Sequence, residues 1–231
     1  MAIGNVSVVL AHGAWADGSG WSKVIGQLKE RGIHTVAAQL PLSSLQDDVA
    51  ALDRTLERID GPVVVAGHAY GGAVIGATRA ANVKALVYVA ALAPDEGETV
   101  GEVFYRGEAH PQAPKLAPDE HGLIWLPEEA FGAAIAQNAT PEELALLGAV
   151  QRPVSVASIS EPVGRPLWKD RPSWFLIAEQ DRMISADTQR FMAQRMKAHV
   201  HAYPVDHTPM ITSPETVTKV ILEAVHSISA Q

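Results

Sequence analysis

Hydrophobic and polar residues alternate along the chain in two kinds of segment. Short, continuous apolar runs predict buried strands, and longer segments with apolar residues three or four positions apart predict amphipathic helices. One such segment places Leu45, Val49, Leu52, Leu56 and Ile59 on a single helical face. Strands are predicted at residues 6–10, 34–40, 62–66, 83–92, 172–178 and 199–205. Helices are predicted at 21–31, 45–59, 70–81, 186–197 and 214–228.

The order of these elements predicts the fold class. Apolar strands that alternate with helices form a parallel sheet covered on both faces. Right-handed crossovers then give a three-layer α/β/α, doubly wound, mostly parallel sheet of about six strands. Residues 94–171 interrupt the pattern, because they are rich in proline and contain only short helical pieces. These pieces are predicted at 128–137 and at 140–150, where Thr140 is placed to cap the helix. We therefore predict a core made of residues 1–93 and 172–231, with residues 94–171, the inserted segment, as a helical lid.

Composition narrows the range of partners. The chain has 231 residues, 47% of them hydrophobic, a formal net charge of −8 and no cysteine. Nucleic acids and anionic membranes bind basic surfaces, so neither is expected as a partner. The lack of cysteine excludes disulfides, thiolate metal sites and a cysteine nucleophile. No basic region precedes the first apolar run, and this run is too short to span a membrane, so a cytoplasmic protein is expected.

A candidate catalytic turn lies at residues 65–72, which read Val-Ala-Gly-His-Ala-Tyr-Gly-Gly. A predicted strand enters this segment and a helix of small residues leaves it, which is typical of the Gly-x-Ser-x-Gly nucleophile elbow. Gly67 and Gly71 lack β-carbons, so the strand and the helix can approach closely. The central residue is Ala69, where the pattern has serine. A methyl group cannot attack a carbonyl, so the sequence predicts the scaffold for a nucleophile without the nucleophile.

Two further residues complete a candidate triad in the chain order nucleophile, acid, histidine. Asp181 follows the fifth predicted strand and His207 follows the sixth. Both are expected at the carboxyl edge of the sheet, where ligands of open α/β sheets bind. We expect the carboxylate of Asp181 to fix the imidazole tautomer of His207. The backbone N–H groups of Ala14 and Tyr70 are the predicted oxyanion hole.

Several motifs together resemble the α/β-hydrolase superfamily, in its small-esterase branch with plant methylesterases and hydroxynitrile lyases. In chain order they are HGAW, GHAYGG, VKALVYVAALAPDEGE, the late Asp181 and DHTPM, and the likeness covers nearly the whole chain. The resemblance implies a Ser-His-Asp acyl-enzyme mechanism, with Ala69 at the serine position and no cofactor or metal. The family's initial hairpin is absent. The lyases carry Thr at the position of Gly13 and Lys directly after the catalytic histidine, whereas this chain has Thr208 there, which favours ester hydrolysis.

The prediction is therefore a carboxylesterase acting on a hydrophobic ester, lactone or amide of small to medium size. Ala69 has three interpretations: an engineered Ser-to-Ala variant that traps its ligand, a natural small-molecule receptor, or catalysis without the serine. A hydroxynitrile lyase or a C–C hydrolase on the same fold is the alternative chemistry. Either a monomer or a homodimer is compatible with the sequence.

The substrate pocket is predicted from residues near the oxyanion donors and in the inserted segment. The candidates are Gly13, Trp15, His68, Tyr105, Trp125, Phe131 and Met183. His12 is expected to shape the oxyanion turn, and His68 to support the elbow or line the pocket. His199 and His201 are interpreted as polar residues of an edge strand rather than a metal pair. Asp206 is interpreted as a solvated neighbour of the site.

Overall fold

The computed structural model describes residues 5–229 and contains a central parallel sheet of six strands, in the order β2-β1-β3-β4-β7-β8. This architecture confirms the predicted fold class. The sheet strands are β1 (Ser7–Ala11), β2 (Thr35–Ala38), β3 (Val63–His68), β4 (Val83–Val89), β7 (Ser173–Ala178) and β8 (His199–Tyr203). Two short strands, β5 (Leu123–Ile124) and β6 (Val154–Ser155), form a separate antiparallel pair.

Helices cover the sheet, and further helices lie within the inserted segment. The longer ones are α1 (Ser22–Glu30), α2 (Leu45–Leu56), α3 (Gly71–Ala77), α6 (Pro141–Ala149), α8 (Ala186–Arg195) and α10 (Pro214–Ser229). The short ones are α4 (Val100–Phe104), α5 (Glu128–Ala130), α7 (Val156–Ser160) and α9 (Pro209–Thr212). No helix within residues 5–229 is long and apolar enough to cross a membrane.

The register of the sheet brings the candidate site together. Strands β1, β3 and β7 are buried along their whole length, as their continuous apolar sequences require. At the carboxyl edge, Ala11 of β1 lies beside Gly67 of β3, and His68 lies beside Val89 of β4. The turns that follow these strands therefore emerge at one edge of the sheet, as do those after β7 and β8.

Two predicted helical segments differ most from those observed. The predicted helix 70–81 ends at Ala77, because Thr78 adopts an extended ψ of 151° and its hydroxyl donates to Asp53. The predicted helical piece 128–137 is split into the short helix α5 and a π-helical turn at Phe131–Ile135. In contrast, the predicted cap of α6 forms, with Thr140 accepting from the backbone of Glu143 in a capping box.

Candidate active site

Ala69 occupies the sharp turn between β3 and α3. Its φ is 48°, in the left-handed region that residues with a side chain seldom adopt. Hydrogen bonds hold the turn on both sides. The Ala69 N–H donates to Val89 O at 3.2 Å, and the Ala69 carbonyl accepts from Gly72 at 3.0 Å and Leu92 at 2.9 Å. This is the strained strand-turn-helix geometry of a nucleophile elbow, with a methyl group at its tip.

The glycines around the turn are required by close backbone contacts. A β-carbon on Gly67 would lie 2.6 Å from the carbonyl oxygen of Gly71. A β-carbon on Gly71 would lie 2.6 Å from the carbonyl oxygen of His12. Neither neighbour is a movable side chain, so any residue larger than glycine would push the strand and the helix apart.

The structure joins Asp181 and His207 in a buried pair. The imidazole Nδ1 of His207 lies 2.7 Å from Oδ2 of Asp181. The other carboxylate oxygen accepts from the backbone N–H groups of Met183 at 2.7 Å and Ile184 at 2.9 Å. With Nδ1 donating to Asp181, Nε2 of His207 is free to exchange a proton with a ligand.

Gln189 is a part of this site that sequence reasoning missed. Its side-chain amide donates to Oδ2 of Asp181 and to Ile184 O, both at 2.8 Å, and its oxygen accepts from the backbone of Ala178 at 3.0 Å. The residue is fully buried on α8. Its position eight residues after Asp181 gives no sequence signal, because the two meet only when α8 packs on β7.

The two predicted oxyanion donors belong to Tyr70, which follows Ala69, and to Ala14, whose preceding residue Gly13 lies against Ala69. The N–H groups of Ala14 and Tyr70 donate to no other group in the described part of the chain. His12 fixes the peptide that carries the Ala14 donor. The His12 Nε2 accepts from Leu40 N–H at 3.0 Å, so its Nδ1 carries the proton and donates to the Gly13 carbonyl at 2.9 Å. Burial lowers the pKa of His12, which keeps the ring neutral in this role.

His68 supports the loop of His207 from behind. Its Nε2 donates to the carbonyl oxygen of His207 at 2.7 Å, and its Nδ1 has no partner among residues 5–229. Burial holds the pKa of His68 well below the usual value, so the ring is neutral. A β-carbon on Gly13 would lie 2.9 Å from Nδ1 of His68 and 3.0 Å from Cβ of Ala69, so position 13 has no room for a side chain.

A cavity opens beside Ala14, Tyr70 and His207. Of the residues predicted to bind substrate, Trp15, Tyr105 and Met183 line it. The remaining wall is almost wholly apolar and was not predicted residue by residue. It is formed by Leu92, Val100, Gly101, Phe104, Leu116, Ile124, Val154, Ile159 and Ile184.

Four predicted residues lie away from the cavity wall. Gly13 and His68 pack behind Ala69. Trp125 is 48% exposed, and its indole N–H donates to a carboxylate oxygen of Asp119 at 3.3 Å. The preceding residue, Ile124, faces the cavity, and because successive residues of an extended chain face opposite sides, Trp125 faces away from it. Phe131 is buried at the start of the π-helical turn, where it belongs to the hydrophobic core.

The interpretation of Asp206 as solvated is wrong. Asp206 is fully buried and connects the His207 loop to the inserted segment. One carboxylate oxygen accepts from the N–H of Asn138 at 3.1 Å. The other accepts from the Thr212 hydroxyl at 2.6 Å and the Thr208 N–H at 3.2 Å.

A third buried carboxylate, Asp48, holds the wall of the cavity. It accepts from the Tyr70 hydroxyl at 2.5 Å and from the Leu42 N–H at 2.6 Å. Desolvation raises the pKa of Asp48 to about 6, although both hydrogen bonds oppose the shift. Burial, with the neighbouring Asp48 carboxylate, also raises the pKa of Tyr70.

Among residues 5–229, no cluster of three or more His, Asp or Glu side chains could hold a metal ion. His201 instead pairs with Glu223 at 2.8 Å, and the ring of His199 stacks on Trp174 with centroids 4.7 Å apart.

The model of the α/β hydrolase family matches residues 8–220. The chain belongs to this family. Methylesterase 2 of Arabidopsis thaliana is 23% identical to the chain, over 91% of each protein. A pyrethroid hydrolase from Sphingobium faniae JZ-2 superposes with a TM-score of 0.84 at 21% identity, covering 98% of this chain and 100% of its own. A tomato methylketone synthase I variant complexed with β-ketoheptanoate superposes with a TM-score of 0.82 at 17% identity, covering 96% and 98%.

Proposed function

We propose that the site is that of a carboxylic ester hydrolase, in which position 69 carries the nucleophile and the present Ala69 leaves ligand binding without turnover. The observation that carries this proposal is the buried Asp181–His207 pair beside a strained elbow with two free backbone N–H groups. The similarity to a methylesterase and a pyrethroid hydrolase agrees with it. Hydrophobic esters, lactones and amides are the proposed ligands, and neither a nucleic acid nor a membrane is proposed as a partner.

In the serine form, each group has a defined role. The serine oxygen would attack the ester carbonyl while His207 takes its proton, and Asp181 would stabilise the imidazolium that forms. The N–H groups of Ala14 and Tyr70 would hold the oxyanion. His207 would then protonate the departing alcohol, and a water molecule activated by His207 would release the acid from the acyl-enzyme.

With alanine at position 69, no oxygen can form the acyl-enzyme. Removal of the serine from a comparable triad reduces kcat by roughly 2 × 10⁶ in subtilisin, the established example. We propose that this chain is a Ser-to-Ala form that retains ligand. If the chain is instead a natural receptor, it binds the same ligand, but restoring the serine does not increase the rate of ester hydrolysis.

The test is the Ala69→Ser variant assayed with p-nitrophenyl esters. We expect hydrolysis at least 10³-fold faster than by the present chain, with the gain lost when Ala69→Ser is combined with His207→Ala. Ala73→Ser, in the helix that follows the elbow, is the matched control and should show no gain. If the Ala69→Ser variant binds esters but does not hydrolyse them, the result would instead favour the receptor.

Two residues oppose the hydroxynitrile lyase alternative. Position 13 has no space for the threonine that those lyases carry, because His68 and Ala69 already fill it. Thr208 is buried, and its hydroxyl donates to Ile135 O at 3.2 Å, so the longer lysine side chain would have to displace this contact.

A second candidate function follows from Ala69 itself. A site with an oxyanion hole and an acid–base histidine, but no nucleophile, suits reactions that pass through an enolate. Methylketone formation from a β-keto acid is one, and the likeness to methylketone synthase I prompts it here. The carboxylate would leave as CO₂, its electron pair would form an enolate held by the Ala14 and Tyr70 N–H groups, and protonated His207 would give its proton to carbon.

This candidate is tested with the present chain and β-ketoheptanoate. CO₂ release faster than the spontaneous rate, and slower again in His207→Ala, would support it. Release at the spontaneous rate in all variants would reject it.

A further inference from the structure

The cavity offers a ligand very few polar groups. Trp15 donates its indole N–H to Ile124 O at 2.9 Å, and Tyr70 donates its hydroxyl to Asp48. Nδ1 of His207 is bound to Asp181. The side-chain polar atoms left for a ligand are Nε2 of His207 and the hydroxyl of Tyr105, and the backbone N–H groups of Ala14 and Tyr70 are also free within residues 5–229.

A second pocket lies next to this cavity. The two share Phe104, Tyr105, Leu116 and Met183, which form the boundary between them. The outer pocket is more polar than the inner one, because Glu108, Lys115, Ser185 and Thr188 contribute to its lining. Tyr105 is 62% exposed, so water reaches the boundary.

We propose that the ligand is an elongated carbonyl compound with an unfunctionalised apolar segment next to its carbonyl and a polar group only at its far end. The carbonyl lies between the oxyanion donors and His207, the apolar segment fills the inner cavity, and the polar end lies in the outer pocket beyond Tyr105. This inference rests on the carbonyl-binding role in the proposed function, and it adds the substrate class.

The physical reason is the cost of an unpaired hydroxyl. A hydroxyl inside the inner cavity, away from His207 and Tyr105, loses its water and finds no free side-chain partner, whereas beyond the boundary it keeps water or meets polar side chains. The position of a polar group along the ligand therefore decides the affinity.

The test uses straight-chain methyl esters of increasing length, each with and without a terminal hydroxyl. Binding to the present chain is measured by calorimetry, since Ala69 leaves the esters intact. We expect the hydroxyl to weaken binding by about 5- to 150-fold in short esters. We expect less than a twofold effect once the chain is long enough to pass Tyr105. A penalty that is equal at every length, or absent at every length, would overturn the inference.

Tyr105→Ala opens the boundary, so the length at which the penalty disappears should become shorter. Leu146→Ala, an exposed residue of α6 outside both pockets, should leave that length unchanged. An equal shift in both variants would also overturn the inference. If the length dependence is found but Ala69→Ser does not hydrolyse esters, the proposed function fails and this inference stands. If Ala69→Ser hydrolyses esters but the hydroxyl penalty does not depend on chain length, the proposed function stands and this inference fails.

Discussion

The backbone of Ala69 is strained, and its methyl side chain has no reactive group. A left-handed φ costs roughly 1–2 kcal/mol for a residue with a β-carbon, and glycine avoids this cost at an entropic loss of roughly 0.5–1 kcal/mol. We therefore expect Ala69→Gly to raise the free energy of unfolding by about 0.5 kcal/mol in urea denaturation. Ala73→Gly, in the regular helix α3, should lower it by about 1 kcal/mol. Equal losses in the two variants would contradict the strain at the elbow.

Asp48 makes the free energy of unfolding decrease as pH rises, whereas an aspartate with a lowered pKa makes it increase. Its pKa of about 6 in the folded protein exceeds the ordinary value of about 3.9 in the unfolded chain. Between these values the folded state binds a proton that the unfolded state has released, so the Asp48 contribution to stability falls as pH rises. From pH 4 to 6.5 this loss is about 2 kcal/mol.

The buried neutral histidines His12 and His68 act in the opposite direction, because their lowered pKa values make acid destabilising below about pH 6.5. The Asp48 contribution is therefore obtained by subtracting the unfolding free energy of Asp48→Asn from that of the unchanged chain at each pH. We expect this difference in unfolding free energy, unchanged chain minus Asp48→Asn, to become less positive as pH rises from 4 to 6.5. A difference that is constant, or grows with pH, would show that Asp48 does not take up the proton.

At the scale of elements, two capping boxes allow the cavity wall to be separated from general stability. Thr99 caps α4, which presents Phe104 to the cavity, and Thr140 caps α6, which does not line it. Each threonine-to-alanine change should lower the free energy of unfolding by about 1 kcal/mol. Only Thr99→Ala should also raise the Kd for an apolar methyl ester, by about fivefold. Equal effects on Kd would show that α4 does not shape the cavity.

The strands and the elbow were predictable because each depends on local sequence. Continuous apolar runs are typical of buried parallel strands, and Gly67, Ala69 and Gly71 mark the turn by their spacing. The pair of Asp181 and His207 was predictable because carboxyl ends of neighbouring strands meet at one edge. Helix ends were less accurate where a side chain intervenes, as at Thr78, whose hydroxyl binds Asp53.

The inserted segment was the least predictable part, because its residues face the cavity according to packing and not to any period. Trp125 was expected to bind substrate, but the neighbouring Ile124 faces the cavity instead. Gln189 and Asp48 also gave no signal in the sequence. Each is a polar residue on a helix whose buried position depends on contacts with distant parts of the chain.

On the scale of the whole molecule, α8 connects the Asp181–His207 pair to the beginning of the inserted segment. Gln189 on this helix holds Asp181, and Arg195 on the same helix donates to both carboxylate oxygens of Glu98, at 2.9 and 2.7 Å, and to Ala93 O at 2.6 Å. The ion pair is largely shielded from water and lowers the pKa of Glu98. A planar guanidinium makes these contacts together, whereas an ammonium group cannot.

Arg195→Lys should therefore loosen the start of the inserted segment while keeping the charge. Charge-assisted hydrogen bonds of this kind contribute roughly 1.5–3 kcal/mol, so local opening should become at least about tenfold more frequent. Hydrogen exchange of the α4 amides, followed by mass spectrometry, measures this opening. Arg190→Lys is the matched control, since Arg190 lies on the same helix and pairs with Glu179 and Asp187 at the exposed surface. Faster exchange in α4 in both variants, or in neither, would mean that Arg195 does not fasten the inserted segment to α8. An effect confined to Arg195→Lys would make α8 the element that connects the cavity wall to the Asp181–His207 pair.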